Sequence, residues 1–155
     1  MTQKKAKVLL LSGPNLGLLG TRQPDIYGLD TLDDYVEKAR QVGLENNIEI
    51  VDFQSNHEGD LVDIIGKANQ SYEAIIINPG ALTHYGWSLH DALVAFEGIV
   101  IELHISNPNA REPWRHTSVV SPVAKGTIAG FGKIGYELAV LAVAKMIDQT
   151  NKNGD

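Results

Sequence analysis

Short aliphatic runs and amphipathic stretches alternate along this chain from end to end. Val8–Leu11, Ile75–Ile77 and Ile99–Leu103 are runs of branched and leucine side chains, the last interrupted only by Glu102. Runs of this length read as strands covered on both faces of a parallel sheet. They predict strands over Lys7–Leu11, Ile48–Gln54, Ala74–Asn78 and Ile99–His104, with a fifth, less apolar one over Thr127–Gly130. Between the first two, Leu32, Tyr35, Val36, Ala39 and Val42 recur at helical spacing. The capping-box pattern Thr31-Leu32-Asp33-Asp34 opens that helix. A second helix over Asp60–Gln70 turns Leu61, Ile64, Ile65 and Ala68 inward, and a third over Tyr85–Phe96 does so with Leu89, Ala92, Leu93 and Phe96. The last, Gly135–Asp148, is apolar nearly all round, which predicts burial in a deep core or against another subunit.

Five βα units in this order predict one α/β domain spanning residues 1–155. The expected architecture is a flavodoxin-like, doubly wound, five-stranded parallel sheet of order 2-1-3-4-5 with helices on both faces. Gly13–Gly28 and Asn107–Gly126 are too long for ordinary connections and follow strand ends, so both are expected to be functional loops without regular structure. The polar tail, about residues 149–155, is expected to fray.

In such sheets, ligands bind beyond the carboxyl ends of the strands. Three strands end in residues that a buried strand would not choose: Ser12-Gly13-Pro14-Asn15, Asn78-Pro79-Gly80 and His104-Ile105-Ser106-Asn107. Asn15, Asn78 and His104 are therefore expected to face one another across a single site, which makes an enzyme the leading reading.

Composition narrows the partners. A net charge of −6 in 155 residues argues against nucleic-acid binding. No apolar run approaches the ~18 residues of a membrane span, and Met1–Lys7 lacks the apolar core of a secretory signal. The absence of cysteine removes disulfides, thiolate metal sites and a cysteine nucleophile, and fits a cytoplasmic protein. Of four arginines, Arg22, Arg111 and Arg115 lie in loop-like sequence, an arrangement suited to a small anion.

The first loop lacks both the dinucleotide-binding glycine spacing and a P-loop ending. It carries Arg22 and Tyr27 instead. A phenol ionises near pH ~10 and acts as a base at neutral pH only beside a cation, which Arg22 is placed to supply. Tyr27 alone reads more simply as a packed surface tyrosine. Of the five histidines, His84 and His104 follow adjacent strand ends beside Asn or Ser, which favours a general acid or hydrogen-bonding cluster. His57 reads as part of a helix start, and His90 and His116 as helix-face and loop residues. No His-x-x-x-His pair suggests a metal. Glu102 alternates with His104, so both point to one strand face, where Glu102 can orient the imidazole or simply pair with a lysine. Arg115 is suited to clamp a carboxylate or to sit solvated in its loop.

Taken in order, Gly13-Pro14-Asn15-Leu16, Gly20-Thr21-Arg22, Pro24-x-x-Tyr27-Gly28, Gln54-Ser55-Asn56-His57-Glu58-Gly59, Asn78-Pro79-Gly80-Ala81, Thr83-His84, Asp91-Ala92-Leu93, His104-Ile105-Ser106-Asn107, Arg111-Glu112 and Arg115-His116-Thr117-Ser118 resemble the type II 3-dehydroquinate dehydratases. The resemblance runs from about Val8 to Ile147. It implies a flavodoxin-like fold and dehydration of 3-dehydroquinate to 3-dehydroshikimate, in the shikimate pathway or quinate catabolism, without metal, cofactor or Schiff base. By the same resemblance, Tyr27 is the base, Arg22 stabilises its anion and the developing charge, and Asn15 holds a water against the enolate. His104 protonates the departing hydroxyl, supported by Glu102. Asn78, His84, Ile105, Ser106 and Arg115 hold the substrate, an anionic hydroxy-ketone. Asp91 matches a position that reaches the site from a neighbouring subunit, and the family is typically a dodecamer of four trimers. The chain departs from the family pattern at Leu82, through Tyr85-Gly86-Trp87-Ser88-Leu89, and at His90, where arginine is usual; these positions cluster near the substrate rim and the trimer contact.

A non-catalytic flavodoxin-like binding or signalling module is the competing reading. A receiver domain would carry clustered aspartates where this chain has Asn15 and Asn78, and an FMN loop would offer several hydroxyls where Ser12–Leu16 offers one. A scaffold without activity has no use for Tyr27, Arg22 and His104 together.

Overall fold

In the computed structural model, which describes residues 4–154, five parallel strands form one sheet: β1 (Ala6–Ser12), β2 (Ile48–Gln54), β3 (Ala74–Asn78), β4 (Ile99–His104) and β5 (Gly126–Ala129). Their order is β2-β1-β3-β4-β5, as the alternation of runs predicts. Met1–Gln3, part of the segment read as lacking a signal, and Asp155 lie outside the described residues. The helices are α1 (Pro24–Tyr27), α2 (Leu32–Glu45), α3 (Glu58–Gly66), α4 (Trp87–Ala95) and α5 (Lys133–Asn153).

The centre of the sheet is buried from both sides because β1 and β3 carry apolar residues at both parities. Val8 and Leu10 of β1, with Ala74 and Ile76 of β3, pack against α2 and α5 through Val36, Ala39, Tyr136 and Val140. Leu9 and Leu11, with Ile75 and Ile77, pack against α3 and α4 through Leu61, Ile65, Leu89 and Leu93. Each fully buried side chain of this kind contributes about 1.5–3 kcal/mol relative to exposure. The Thr31 capping box forms as read: its hydroxyl accepts from the Asp34 amide, and the Asp34 carboxylate accepts from the Thr31 amide at 2.8 Å.

Several boundaries differ from the sequence reading. The second helix begins at Glu58, after His57 as N-cap, and stops at Gly66; Ala68–Gln70 is a separate 3-10 turn. The third begins at Trp87, because Gly80–His84 forms a 3-10 turn that ends at Tyr85. The polar tail is helical through Asn153: Gln149-Thr150-Asn151-Lys152 contains no breaker, and the Thr150 hydroxyl bonds back to the Met146 carbonyl at 3.0 Å. The long loops are not structureless either. Gly13–Gly28 folds into a 3-10 turn (Leu16–Leu18) and α1, and Asn107–Gly126 into three 3-10 turns.

Connections turn in opposite directions on either side of the β1/β3 pair, which makes the carboxyl ends of these strands the crevice of the fold. The segments after β1 and β3 meet closely there. The Gly13 amide donates to the Asn78 carbonyl at 2.8 Å, and a Cβ on Gly13 would lie 2.3 Å from the Pro79 carbonyl oxygen. Only glycine fits.

Candidate active site

A cavity of about 190 Å³ opens beyond the ends of β1, β3 and β4. Asn15 enters from the turn after β1 with a left-handed backbone (φ 69°), its amide held by the Asn56 side chain at 3.0 Å. Asn78 ends β3 and is almost fully buried, its side-chain oxygen accepting from the Gly80 amide at 3.2 Å. His104 ends β4, and Ile105 and Ser106 continue from it along the cavity wall. Arg22, Arg111 and Arg115 also line the cavity, while among the described residues no aspartate, glutamate or lysine does. Three guanidiniums without an opposing carboxylate on the wall favour a bound anion.

Tyr27 stands on one side of this cavity with a cation at its oxygen. Arg111 Nη1 donates to the Tyr27 hydroxyl at 2.7 Å and to the Ser106 hydroxyl at 3.2 Å. The Arg22 guanidinium lies 5.5 Å from the centre of the Tyr27 ring. A phenolate formed here would meet one charge-assisted bond and a second positive group nearby.

His104 stands on the other side with an anion behind it. Its Nε2 lies 3.1 Å from Oε1 of Glu102, which is fully buried. The same oxygen accepts from the Thr83 hydroxyl and from Ser118 Oγ at 2.6 Å, while Oε2 accepts from Ser121 and from Thr127 at 3.2 Å. Burial by itself pushes the Glu102 carboxyl up. The donors outweigh it, His104 first and then Ser118, Ser121 and Thr83, and bring it to about 2. Glu102 is therefore ionised at neutral pH, where its Oε1 holds the His104 ring through Nε2. His84 is held separately: its Nδ1 lies 2.7 Å from the Thr117 carbonyl, and its ring meets Trp114 edge-on at 5.2 Å.

The class II dehydroquinase family model matches residues 6–144. The chain belongs to that family. It is 50% identical to a 3-dehydroquinate dehydratase of Bacillus licheniformis over 86% of this chain and 92% of the relative. With the corresponding enzyme of Anoxybacillus flavithermus it shares 47% identity over 94% and 99% of the two chains. The crystal structure of a type II dehydroquinase from Propionibacterium acnes superposes with a TM-score of 0.87 at 41% identity, covering 93% of this chain and 99% of that one.

Of the residues singled out from the dehydroquinase-like motifs, Asn15, Arg22, Tyr27, Asn78, His84, His104, Ile105, Ser106 and Arg115 line this one cavity. Glu102 lies behind His104, and the lysine partner weighed for it is absent; its partners are an imidazole and four hydroxyls. Asp91 is exposed on α4 and lines no part of the cavity of its own chain. Arg115 is committed in part to Glu112, at 2.7 Å, and stacks on Trp114 at 4.0 Å. Arg111 is the residue the motif reading passed over. It formed part of a quoted dipeptide and of the loop arginines, yet it is the cation in contact with the phenol oxygen. Among the described residues, no cluster of three His, Cys, Asp or Glu suits a metal ion, and no helix is long and apolar enough to cross a membrane.

Proposed function

We infer that this protein is a type II 3-dehydroquinate dehydratase, a hydro-lyase that removes water from 3-dehydroquinate to give 3-dehydroshikimate through an enolate. What carries the reading is one cavity that pairs a phenol bonded to a guanidinium with an imidazole backed by a buried carboxylate. Tyr27, as phenolate, takes the proton from the carbon next to the ketone. The electrons of that C–H bond form the enolate, whose oxygen is stabilised from the Asn15 side with a water. Collapse of the enolate expels the hydroxyl, which leaves as water with a proton from His104. Tyr27 then holds one proton and His104 lacks one, and exchange with solvent resets both. A proton beside a ketone is only weakly acidic, so a strong base and a stabilised oxyanion are the two things such a site must provide. Arg22 and Arg111 support the phenolate, and Glu102 orients the acid. Asn78, His84, Ile105, Ser106 and Arg115 hold the carboxylate and hydroxyls of the substrate.

No metal, cofactor or imine is assigned a part. Purified protein given 3-dehydroquinate is expected to produce the absorbance of a conjugated enone at a rate unaffected by chelator, and borohydride added with substrate is expected to leave activity intact. A folded protein that produces no enone would overturn the function. Loss of activity to chelator or borohydride would overturn this cofactor-free mechanism.

We further propose that the chain is one catalytic domain that works in the cytoplasm as a homododecamer of four trimers, with Asp91 entering a neighbouring subunit's cavity. Asp91 shares the exposed face of α4 with Trp87 and Val94, which are 64% and 61% exposed in the single chain. Sedimentation is expected to give a particle of twelve chains. Asp91→Ala is expected to raise KM by about tenfold, the loss of one charged contact. A fully active monomer is the result incompatible with this assembly.

A further inference from the structure

We propose that Tyr35 is a positioning residue that anchors the main chain of the base Tyr27 to α2; the proposal rests on the reading of Tyr27 as the base. Tyr27 is carried by α1, a helix of only four residues, and a helix this short has no stability of its own. Its backbone bonds are internal. The Gln23 carbonyl accepts from the Ile26 and Tyr27 amides at 2.9 and 3.1 Å, and the Pro24 carbonyl accepts from Gly28 at 2.7 Å. The turn is bounded by Gln23 at φ 42° and by Gly28 at φ 77°, the latter a conformation open to glycine without strain.

Among the described residues, two hydrogen bonds join this turn to the rest of the molecule. One is Arg111 to the Tyr27 hydroxyl. The other runs from the Tyr35 hydroxyl to the Tyr27 carbonyl, at 2.9 Å. The first must change during the reaction, because the phenol oxygen takes up and releases a proton. The second engages the main chain and is indifferent to the protonation of the ring. It therefore holds the base in place through both halves of the cycle.

Tyr35 is built for this. It is 2% exposed, and its ring packs against that of Tyr136 at 5.1 Å. It lies in the first turn of a helix whose start is fixed by the Thr31 capping box. Burial first, with the carboxylates of Asp30 and Asp34, raises its phenol above the ordinary tyrosine value, so it remains a donor throughout the working range. Tyr27 in turn packs its ring on the same apolar cluster. The ring and hydroxyl of Tyr35 thus connect the long α2–α5 layer to the reacting oxygen through one carbonyl.

Tyr35→Phe removes the hydroxyl and keeps the ring packing. A shift of the base by a fraction of an ångström weakens the reaction step and leaves substrate contacts elsewhere in place. We expect kcat to fall about tenfold or more with KM within about twofold. Amide exchange over residues 25–28 is expected to rise. Val42→Ala, which opens a cavity near the far end of the same helix, is the control: it lowers thermal stability while kcat and exchange at 25–28 stay as in the parent. Tyr35→Met, which also lacks the donor, gives the same measurement if the phenylalanine variant does not assemble. A Tyr35 variant with the parent's kcat, or one whose kcat falls no further than that of Val42→Ala, overturns the anchor. An active Tyr27→Phe overturns the base, and the anchor with it, whereas an inactive Tyr27→Phe beside a normal Tyr35→Phe overturns the anchor alone.

Discussion

Tyr27→Phe is expected to lower turnover by about a hundred to ten thousand fold, the range over which a positioned general base contributes, while substrate affinity changes by only a few fold. The substitution removes one oxygen. The ring keeps its packing on the α2–α5 cluster, and Arg111 keeps the Ser106 hydroxyl at 3.2 Å. The three arginines that favour an anionic substrate stay on the wall of the cavity. Binding contacts therefore survive, and the group that accepts the proton does not. Steady-state turnover together with calorimetric binding of 3-dehydroquinate separates the two. Near-normal turnover would remove Tyr27 from the chemistry and leave His104 as the candidate base. Loss of both binding and turnover would assign the phenol to substrate recognition instead.

The central strands were legible in the sequence because a parallel strand covered on both faces is a short, nearly continuous aliphatic run, while the edge strands β2 and β5 carry weaker patterns. Three of the five were bounded to the residue. Their polar ends were legible for the same reason: Asn78 and His104 interrupt runs that apolar packing alone would have continued. That Glu102 and His104 share a face followed from the two-residue period of a strand, and their 3.1 Å contact is the one of the two readings that the loop hydroxyls and ring geometry select. The rest of the site depends on loop paths, which have no period. Arg111 reaches Tyr27 across 84 residues, and nothing in its local sequence distinguishes it from Arg115. The hydroxyls around Glu102 come from three places: Thr83 in the turn after β3, Ser118 and Ser121 in the loop after β4, and Thr127 in β5. A serine or threonine in a loop carries no sign of its partner, so the carboxylate that needs four such donors was visible and the donors were not. Polarity also misled at the carboxyl terminus. Exposed polar residues say where solvent is, and α5 continues through them because no glycine intervenes before Gly154.

Glu102→Gln is expected to damage both stability and turnover, with a pH signature that belongs to this one group. Burial alone pushes the carboxyl up; the bonds from His104, Ser118, Ser121 and Thr83 outweigh it and hold it at about 2 against an ordinary value of 4.5. A carboxyl lowered on folding contributes stability that is fully present above its unfolded value and is lost as pH falls through its folded one. The contribution is about 3 kcal/mol, present above pH 4.5 and gone near pH 2. Glutamine has no charge to lose, so the stability gap between the parent and the variant should be widest at neutral pH and should close between those limits. Denaturant unfolding at a series of pH values measures it. At neutral pH the amide also turns its NH2 toward hydroxyls that were donating, and removes the carboxylate that holds the His104 ring through Nε2. Turnover should therefore fall by about a hundredfold or more, within the range for a compromised general acid. A gap that stays constant from pH 7 to pH 2 would mean that the hydroxyl cage does not hold Glu102 ionised. Unchanged turnover with the expected gap would confine Glu102 to stability and leave His104 to act without it.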